Sequence, residues 1–181
     1  MILNVSGKLF NPFDLKQNDF ENIDKQLATT LPRIQRFSAQ LRQNYSVAQH
    51  CLSMVEFFRD DVSMQRIALS HELFEGLGLG DIPSPIKDKL PQIKEAENRA
   101  LELFANIYGL DYELYNSKEF KEADLGLLVM EALNLAVKSD FDWTSYSKPL
   151  GKLYKLNASE EEIRKDFLVK WQELFKDTKG V

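Results

Sequence analysis

The chain has 181 residues, of which 44% are hydrophobic and 28% are charged, and its formal net charge at pH 7 is −5. This length and balance predict a single globular domain over residues 1–181, and no apolar run approaches the roughly 20 residues that span a bilayer. The negative net charge argues against a general nucleic-acid-binding protein, because such proteins carry a basic surface.

The N-terminal segment, up to about Asp19, contains the run MILNVSGKLFNPFD and is interpreted as irregular structure laid over the core. It lacks the basic and then apolar pattern of a signal peptide, so export is not expected. The single cysteine, Cys51, excludes a disulfide within the chain and fits a reducing compartment. These features predict a cytoplasmic protein.

A helix is predicted from about residue 19 to residue 30, because Phe20, Ile23 and Leu27 recur at helical spacing. The next segment, LPRIQRFSAQLRQN, carries arginines among apolar side chains. Taken alone, this cluster of charge favours a solvated turn or a short helix.

The two histidines of the chain lie on consecutive predicted helices. Ser46, with Gln49 three residues later, forms a capping box that predicts a helix from there to about residue 59. A second helix is predicted from Ser63 to about residue 74. The glycine-rich run EGLGLG then breaks the chain.

Three further helices complete the predicted bundle. Pro91 suits the first turn of a helix that ends near Gly109, and another helix is predicted over about 118–138. Ser159 and Glu162 repeat the capping box before a last amphipathic helix. No stretch alternates convincingly with period two, so the predicted fold class is all-α.

Ionisable side chains fall on the apolar faces of these predicted helices, namely His50, His71, Asp124 and Glu131. A single histidine on such a face is more often a hydrogen-bonded core residue than a ligand. Several unsatisfied buried groups would nevertheless cost about 1–3 kcal/mol each, against a total stability of about 5–15 kcal/mol. A divalent cation would compensate this cost, and mixed nitrogen and oxygen donors suit Zn, Mn, Co or Fe better than Ca. The residues alone leave a metal site and a helical interaction module with core histidines equally open.

Segments in a fixed order carry a resemblance to a known family: YSVAQH, ALSHE, GDIPSPIK, and KEAD before an apolar helix. This set resembles the HD-domain phosphohydrolases, in particular the bacterial 5′-deoxynucleotidases and the dATP triphosphohydrolases of 2-aminoadenine phages. The N-terminal SGKLFNPFD and the later RFSAQ are similar to the phage type. The match extends over about residues 6–131 and implies a single HD-domain helical bundle with a metal site between core helices.

The resemblance also implies roles for individual residues. The implied metal ligands are His50, His71, Glu72 and Asp124. Glu75 corresponds to the acid that orients or deprotonates the attacking water, and Asp81 corresponds to a second acid near the reacting phosphate. The implied substrate-binding residues are Arg36 and Phe37, which hold phosphate and pack on the base or sugar, and Lys87, which clamps phosphate.

The chain departs from the family pattern in three places. Glu72 stands where the family has aspartate, and the loop EGLGLGD is one residue longer than the usual spacing. Gln40 stands where phage relatives often have histidine. The change at Glu72 motivates an alternative in which an HD protein binds nucleotide without catalysis.

The resemblance implies a metal-dependent enzyme that hydrolyses dATP to deoxyadenosine and triphosphate. The alternatives are a 5′-deoxynucleotidase that acts on deoxynucleoside monophosphates and a catalytically inactive nucleotide-binding HD protein. The expected cofactor is divalent Co, Mn, Zn or Fe, with Mg as a candidate for a second site. The expected partner is a small-molecule deoxynucleotide, with no nucleic acid and no membrane. The family further implies a homo-oligomer, located in the host cytoplasm if the protein is phage-encoded.

Overall fold

Helical segments account for most of the structure, a computed structural model that describes residues 1–178, and seven of them are α-helices. They are α1 (Ile23–Thr30), α2 (Val47–Phe57), α3 (Val62–Ser70), α4 (Ser84–Lys87), α5 (Pro91–Tyr108), α6 (Lys118–Leu135) and α7 (Glu160–Phe175). The all-α prediction is confirmed to the extent that the fold is mostly helical. The last three residues of the predicted 1–181 domain lie outside the described residues.

The N-terminal segment is the exception to the all-α prediction. β1 (Ile2–Leu3) and β2 (Leu9–Phe10) form an antiparallel hairpin in which Ile2 lies opposite Phe10. Each strand has two residues, so neither is long enough to show a period-two pattern in the sequence. Phe10 is buried and attaches the hairpin to the helical core.

Local capping signals fix several helix starts where the sequence predicts them. The Ser46 side chain accepts a hydrogen bond from the backbone N–H of Gln49, and the capping box at the start of α2 is complete. The same arrangement joins Ser159 and Glu162 at the start of α7. Pro91 occupies the first turn of α5, where its missing N–H costs no hydrogen bond.

α1 and α6 are shorter than predicted. The predicted first turn of α1 is a separate 3-10 helix over Gln17–Phe20, and Asn22, with a left-handed φ of 55°, separates the two elements. α6 ends before the predicted residue 138, because Ala136 adopts an extended conformation and forms a β-bridge with Leu41. The break before α1 is local to Asn22, whereas the end of α6 is set by a backbone contact outside the helix.

α3 ends at Ser70 rather than near residue 74, and this boundary positions the candidate site. His71 and Glu72 lie in the turn that follows, and a π-helical turn then covers Glu75–Leu79. Gly78 has a φ of 107° inside this turn, a conformation that favours glycine. The glycine-rich run that the sequence marks as a break is therefore a defined turn.

α2 lies at the centre of the core and packs against α3, α6 and α7. Large fully buried side chains come from most helices and include Ile23, Leu27, Met54, Ile67, Phe104, Phe120 and Phe167. Among residues 1–178, no helix has both the length and the apolar character needed to cross a bilayer. Because α2 and α3 pack along each other, polar groups on their facing sides are held close together.

Candidate metal centre

The two histidines meet between α2 and the end of α3. His50 lies within α2 and is 0% exposed, whereas His71 follows the last residue of α3 and has a side chain that is 9% exposed. Their Nε2 atoms are 3.2 Å apart. The predicted core-facing position of both residues is confirmed, and the packing of α2 on α3 brings the rings together.

Hydrogen bonds on the far side of each ring fix the tautomers. His50 Nδ1 lies 2.7 Å from Glu131 Oε1, and His71 Nδ1 lies 2.8 Å from the carbonyl oxygen of Ala68. Both partners accept hydrogen bonds, so each Nδ1 carries a proton and donates it. When both rings are neutral, their Nε2 lone pairs face each other, which is repulsive unless a cation lies between them. A proton or a metal ion meets this requirement.

Two carboxylates approach the same imidazole nitrogens. Glu72 Oε1 lies 3.6 Å from His71 Nε2 and 4.0 Å from His50 Nε2. Ligand atoms of His50, His71 and Glu72, hereafter the trio, all lie within 4.8 Å of one another. Asp124 Oδ1 lies 3.1 Å from His50 Nε2, on a side chain that is 35% exposed. The structure thus brings the trio together and places Asp124 beside it.

The spacing of these donors fits a divalent transition-metal ion. Two nitrogens bound at about 2.0–2.1 Å in a tetrahedral site are about 3.3 Å apart, and the two Nε2 atoms are 3.2 Å apart. Imidazole and carboxylate together are the mixed donor set of Zn, Mn, Co and Fe sites. The carboxylate of Glu72 lies within 4.0 Å of the Nε2 atoms of both imidazoles. The trio can therefore hold a metal ion.

The surroundings of the histidines favour one positive charge between the rings. Burial and Arg36 lower the pKa of His50, but Glu131 and Asp124 outweigh them and raise this pKa to about 9. Burial lowers the pKa of His71. At pH 7 one ring is therefore protonated and the other is neutral. Nε2 of a protonated His50 faces both His71 Nε2 at 3.2 Å and Asp124 Oδ1 at 3.1 Å, and a bound metal ion would replace its proton.

The three carboxyl groups nearest the histidines, those of Glu72, Asp124 and Glu131, stay ionised. Burial alone would raise the pKa of Glu72, but the nearby histidines and Arg36 lower it to about 2. Burial has the same effect on the pKa values of Asp124 and Glu131, and His50 and Arg36 hold both values below their usual range. Buried carboxylates of this kind require compensating cations.

Arg36 is buried, although its arginine-rich segment was expected to be solvated. Only 6% of its surface is exposed. Its Nε lies 3.1 Å from Glu131 Oε2, and its Nη1 lies 3.2 Å from Glu72 Oε1 and 3.7 Å from Asp81 Oδ1. Burial lowers the pKa of Arg36, but these carboxylates raise it by more. The solvated interpretation is wrong for Arg36, and the guanidinium links Asp81 to the trio.

Phe37 lies next to Arg36 in an unusual backbone conformation. The φ values of Phe37, Ser38 and Ala39 are 54°, 50° and 62°, in the left-handed region that residues other than glycine rarely adopt. The ring centroid of Phe37 lies 6.0 Å from Arg36 Cζ and 5.9 Å from the ring of Trp143. The predicted arginine–aromatic pair is thus at the site, with a half-buried Phe37 at its edge.

Glu75 and Lys87 form an ion pair one turn beyond Glu72. Lys87 Nζ donates to Glu75 Oε1 and lies 2.8 Å from Glu97 Oε1. Glu75 Oε2 is buried and has no hydrogen-bond partner among the described residues. Burial and the charge of Glu72 raise the pKa of Glu75 well above its usual range, although Lys87 opposes this shift. A carboxylate oxygen of this kind is a candidate proton acceptor.

The π-helical turn that carries Glu75 is anchored to α1. The carbonyl oxygen of Gly76 accepts hydrogen bonds from Gln26 Nε2 at 3.0 Å and from Thr30 Oγ1 at 2.8 Å. A Cβ atom at Gly76 would lie 2.5 Å from Leu27 Cδ2, so glycine alone allows this approach without displacing the leucine. The position of Glu75 therefore depends on close contact between the turn and α1.

Sequence reasoning placed Glu131 on a core-facing stripe without a specific role and did not single out Glu97. Glu131 is 0% exposed and bridges His50 and Arg36, so it positions a candidate ligand and a cation at once. Its place on the apolar face seven residues after Asp124 was the available signal. Glu97 has no such signal in the sequence, because its partner Lys87 lies on a different helix, α4.

Comparison with known proteins relates the chain to a bacterial protein. No protein-family model matches the chain. Over 142 residues the chain is 30% identical to the uncharacterized protein YfdR of Escherichia coli strain K12, and the aligned region covers 78% of this chain and 76% of YfdR. The similarity therefore extends over most of both proteins. The chain belongs to the same family as Escherichia coli YfdR.

Proposed function

We propose that the chain is an HD-type metal-dependent phosphohydrolase that acts on deoxynucleotides. The observation that carries this proposal is the pair of imidazole nitrogens 3.2 Å apart, next to the carboxylates of Glu72 and Asp124. This arrangement requires a cation, and a divalent metal is a cation suited to phosphate-ester hydrolysis. Divalent Co, Mn, Zn or Fe would then be held between core helices, as in the HD bundle that the sequence resembles.

The charge balance of the site supports a bound metal. Carboxylates outnumber the permanent cations there, since Glu72, Glu75, Asp81, Asp124 and Glu131 surround Arg36 and Lys87. Without further positive charge, this site would repel a phosphate ester. A divalent cation offsets the repulsion, so the acidic site suits a phosphate substrate when the metal is bound.

The side chains around the trio have distinct roles in this proposal. When bound, the divalent cation neutralises phosphate charge and makes water a better nucleophile. Glu75 Oε2 accepts the proton of the attacking water, for which its raised pKa is suited. Arg36 and Lys87 donate N–H groups to phosphate oxygens, and Lys87 exchanges a carboxylate contact for the substrate.

The proposed substrate is dATP, attacked by water at the α-phosphorus. The bond to the 5′-oxygen breaks, deoxyadenosine leaves, and triphosphate is the second product. The phage-like run SGKLFNPFD supports this choice. The alternative is a 5′-deoxynucleotidase, which would use the same residues to release orthophosphate from a deoxynucleoside monophosphate.

The products distinguish these alternatives directly. The purified chain is incubated with dATP or dAMP in the presence of Mn²⁺ or Co²⁺, and the products are separated by ion-exchange chromatography. We expect deoxyadenosine and triphosphate from dATP. Orthophosphate from dAMP alone would support the 5′-deoxynucleotidase, and nucleotide binding without turnover would support the inactive HD protein.

Single substitutions test which residues retain the metal and which are needed for turnover. Glu75→Gln is expected to retain the metal and lose turnover by about 100-fold or more, because the proton acceptor is removed. Glu102→Gln, the same change at an exposed position of α5, is expected to alter neither property. His50→Ala and His71→Ala are expected to abolish metal retention. If these two variants lower only the free energy of unfolding, and the unmodified chain retains no metal, the histidines are core residues and the proposal is wrong.

A further inference from the structure

Four aromatic rings form a cluster at the edge of the candidate site, hereafter the aromatic cluster: Phe37, Phe141, Trp143 and Tyr146. Trp143 lies at its centre, with ring centroids 5.9 Å from Phe37, 5.0 Å from Phe141 and 6.3 Å from Tyr146. The cluster is open to solvent, since Phe141 is 49% exposed and Tyr146 is 57% exposed. Rings that pack on one another outside the core leave aromatic faces available to a ligand.

The aromatic cluster lies next to Arg36, the proposed phosphate contact, through Phe37. Arg36 Cζ lies 6.0 Å from the ring centroid of Phe37, and Arg36 Nη1 lies 3.2 Å from Glu72 Oε1 in the trio. Phe37 is in turn in edge contact with Trp143. A ligand whose phosphate lies at Arg36 would therefore have the aromatic cluster beside its remaining part.

Backbone contacts hold the two parts of the aromatic cluster together. The segment that carries Phe37 is joined to the end of α6 by the bridge between Leu41 and Ala136. Arg42 strengthens this junction, because its N–H donates to the carbonyl of Leu135 at 2.8 Å and its Nη2 donates to the carbonyl of Asn134 at 2.6 Å. The segment with the other three aromatic residues follows directly.

The backbone of the Phe37 segment is strained. Phe37, Ser38 and Ala39 are consecutive residues with left-handed φ values, and this conformation costs about 1–2 kcal/mol per residue other than glycine. Such strain is concentrated at functional sites in proteins. Here it coincides with the position at which Phe37 meets Trp143.

We propose that the aromatic cluster is the subsite for the nucleobase, with Trp143 as its main stacking surface. This inference rests on the proposed function and assigns the residues that contact the base of the proposed deoxynucleotide. Every base has a π-face that stacks on aromatic side chains, and this contact strengthens binding independently of the phosphate contacts. Trp143, Phe141 and Tyr146 thereby add a base contact to the site around Arg36.

The test compares two ligands that differ only in the base. The probes are the non-hydrolysable 5′-phosphonates of 2′-deoxyadenosine and of 1,2-dideoxyribose, which has hydrogen in place of the base, titrated into the Mn²⁺-loaded chain. We expect the base-bearing phosphonate to bind about tenfold or more tightly than the base-free one. Trp143→Ala should remove most of this ratio while leaving the affinity for the base-free phosphonate unchanged, and Trp143→Phe should preserve the ratio.

Control variants distinguish a base subsite from a subunit contact. Phe13→Ala, at a 44% exposed phenylalanine outside the aromatic cluster, should leave both affinities unchanged. Equal affinities for the two phosphonates, or a ratio that survives Trp143→Ala, would overturn the base subsite while leaving the proposed function intact. A change of oligomeric state in Trp143→Ala with an unchanged ratio would identify the cluster as a subunit contact instead. If neither phosphonate binds, the base subsite fails, and the product assay with dATP decides the proposed function separately.

Discussion

Glu131→Gln perturbs the metal ligand His50 and the cation Arg36 at once. The carboxylate of Glu131 is 0% exposed, accepts a hydrogen bond from His50 Nδ1 at 2.7 Å and lies 3.1 Å from Arg36 Nε. Glutamine preserves the shape of the side chain and removes its charge. The amide oxygen can still accept from one partner, so the variant is expected to fold.

The contacts that remain set the size of the effect. Arg36 keeps Glu72 at 3.2 Å and Asp81 at 3.7 Å, so its charge is not left unpaired. We therefore expect the free energy of unfolding without metal to fall by about 1–3 kcal/mol, less than the 3–5 kcal/mol typical of breaking a buried ion pair. Metal affinity should fall by about 10–100-fold, because the second partner of a ligating histidine is weakened.

Two assays measure these effects separately. Urea unfolding of the metal-free protein gives the stability change, and calorimetric titration with Mn²⁺ or Co²⁺ gives the affinity. Glu102→Gln is the matched control, since it makes the same substitution at an exposed position of α5. Metal affinity that stays within about twofold while stability falls would show that Glu131 supports the core and does not position His50.

Three further predictions follow from single features of the site. Because the pKa of His50 is raised to about 9, metal binding at pH 7 should release about one proton. Calorimetric titration in buffers of different ionisation enthalpy measures the number of protons released, and a value of zero would contradict the prediction. Gly76→Ala should lower the free energy of unfolding by about 1–3 kcal/mol in urea titrations, since the new Cβ would lie 2.5 Å from Leu27 Cδ2; unchanged stability would refute the close approach. Asp124→Asn should weaken Mn²⁺ binding by about tenfold or more. The free energy of unfolding should change by less than about 1 kcal/mol, because the side chain is 35% exposed. An unchanged Mn²⁺ affinity would exclude Asp124 as a ligand.

Local signals in the sequence predict much of the helical framework. The capping boxes that start α2 and α7 involve residues three positions apart, such as Ser46 and Gln49, and they form as predicted. The apolar spacing around His50 places it on the buried face of its helix. These features depend on residues close together in the chain, so a short stretch of sequence is enough to predict them.

Features that depend on distant partners could not be predicted in the same way. Arg36 belongs to an arginine-rich run typical of a solvated segment, and it is buried because Glu72, Asp81 and Glu131 approach from separate parts of the chain. The glycine-rich run after Glu72 signals a break, but its π-helical geometry depends on contact with α1. The contact of Phe37 with Trp143 likewise joins segments that are remote in sequence.

The most direct test of the proposed metal site is anomalous diffraction. Crystals of the chain grown with Co²⁺ would be measured above and below the cobalt absorption edge. A single anomalous peak is expected between His50 Nε2 and His71 Nε2, next to the Glu72 carboxylate, and it should disappear in His71→Ala. If the unmodified protein, given excess Co²⁺, shows no peak at these nitrogens, the histidine pair does not form a metal site.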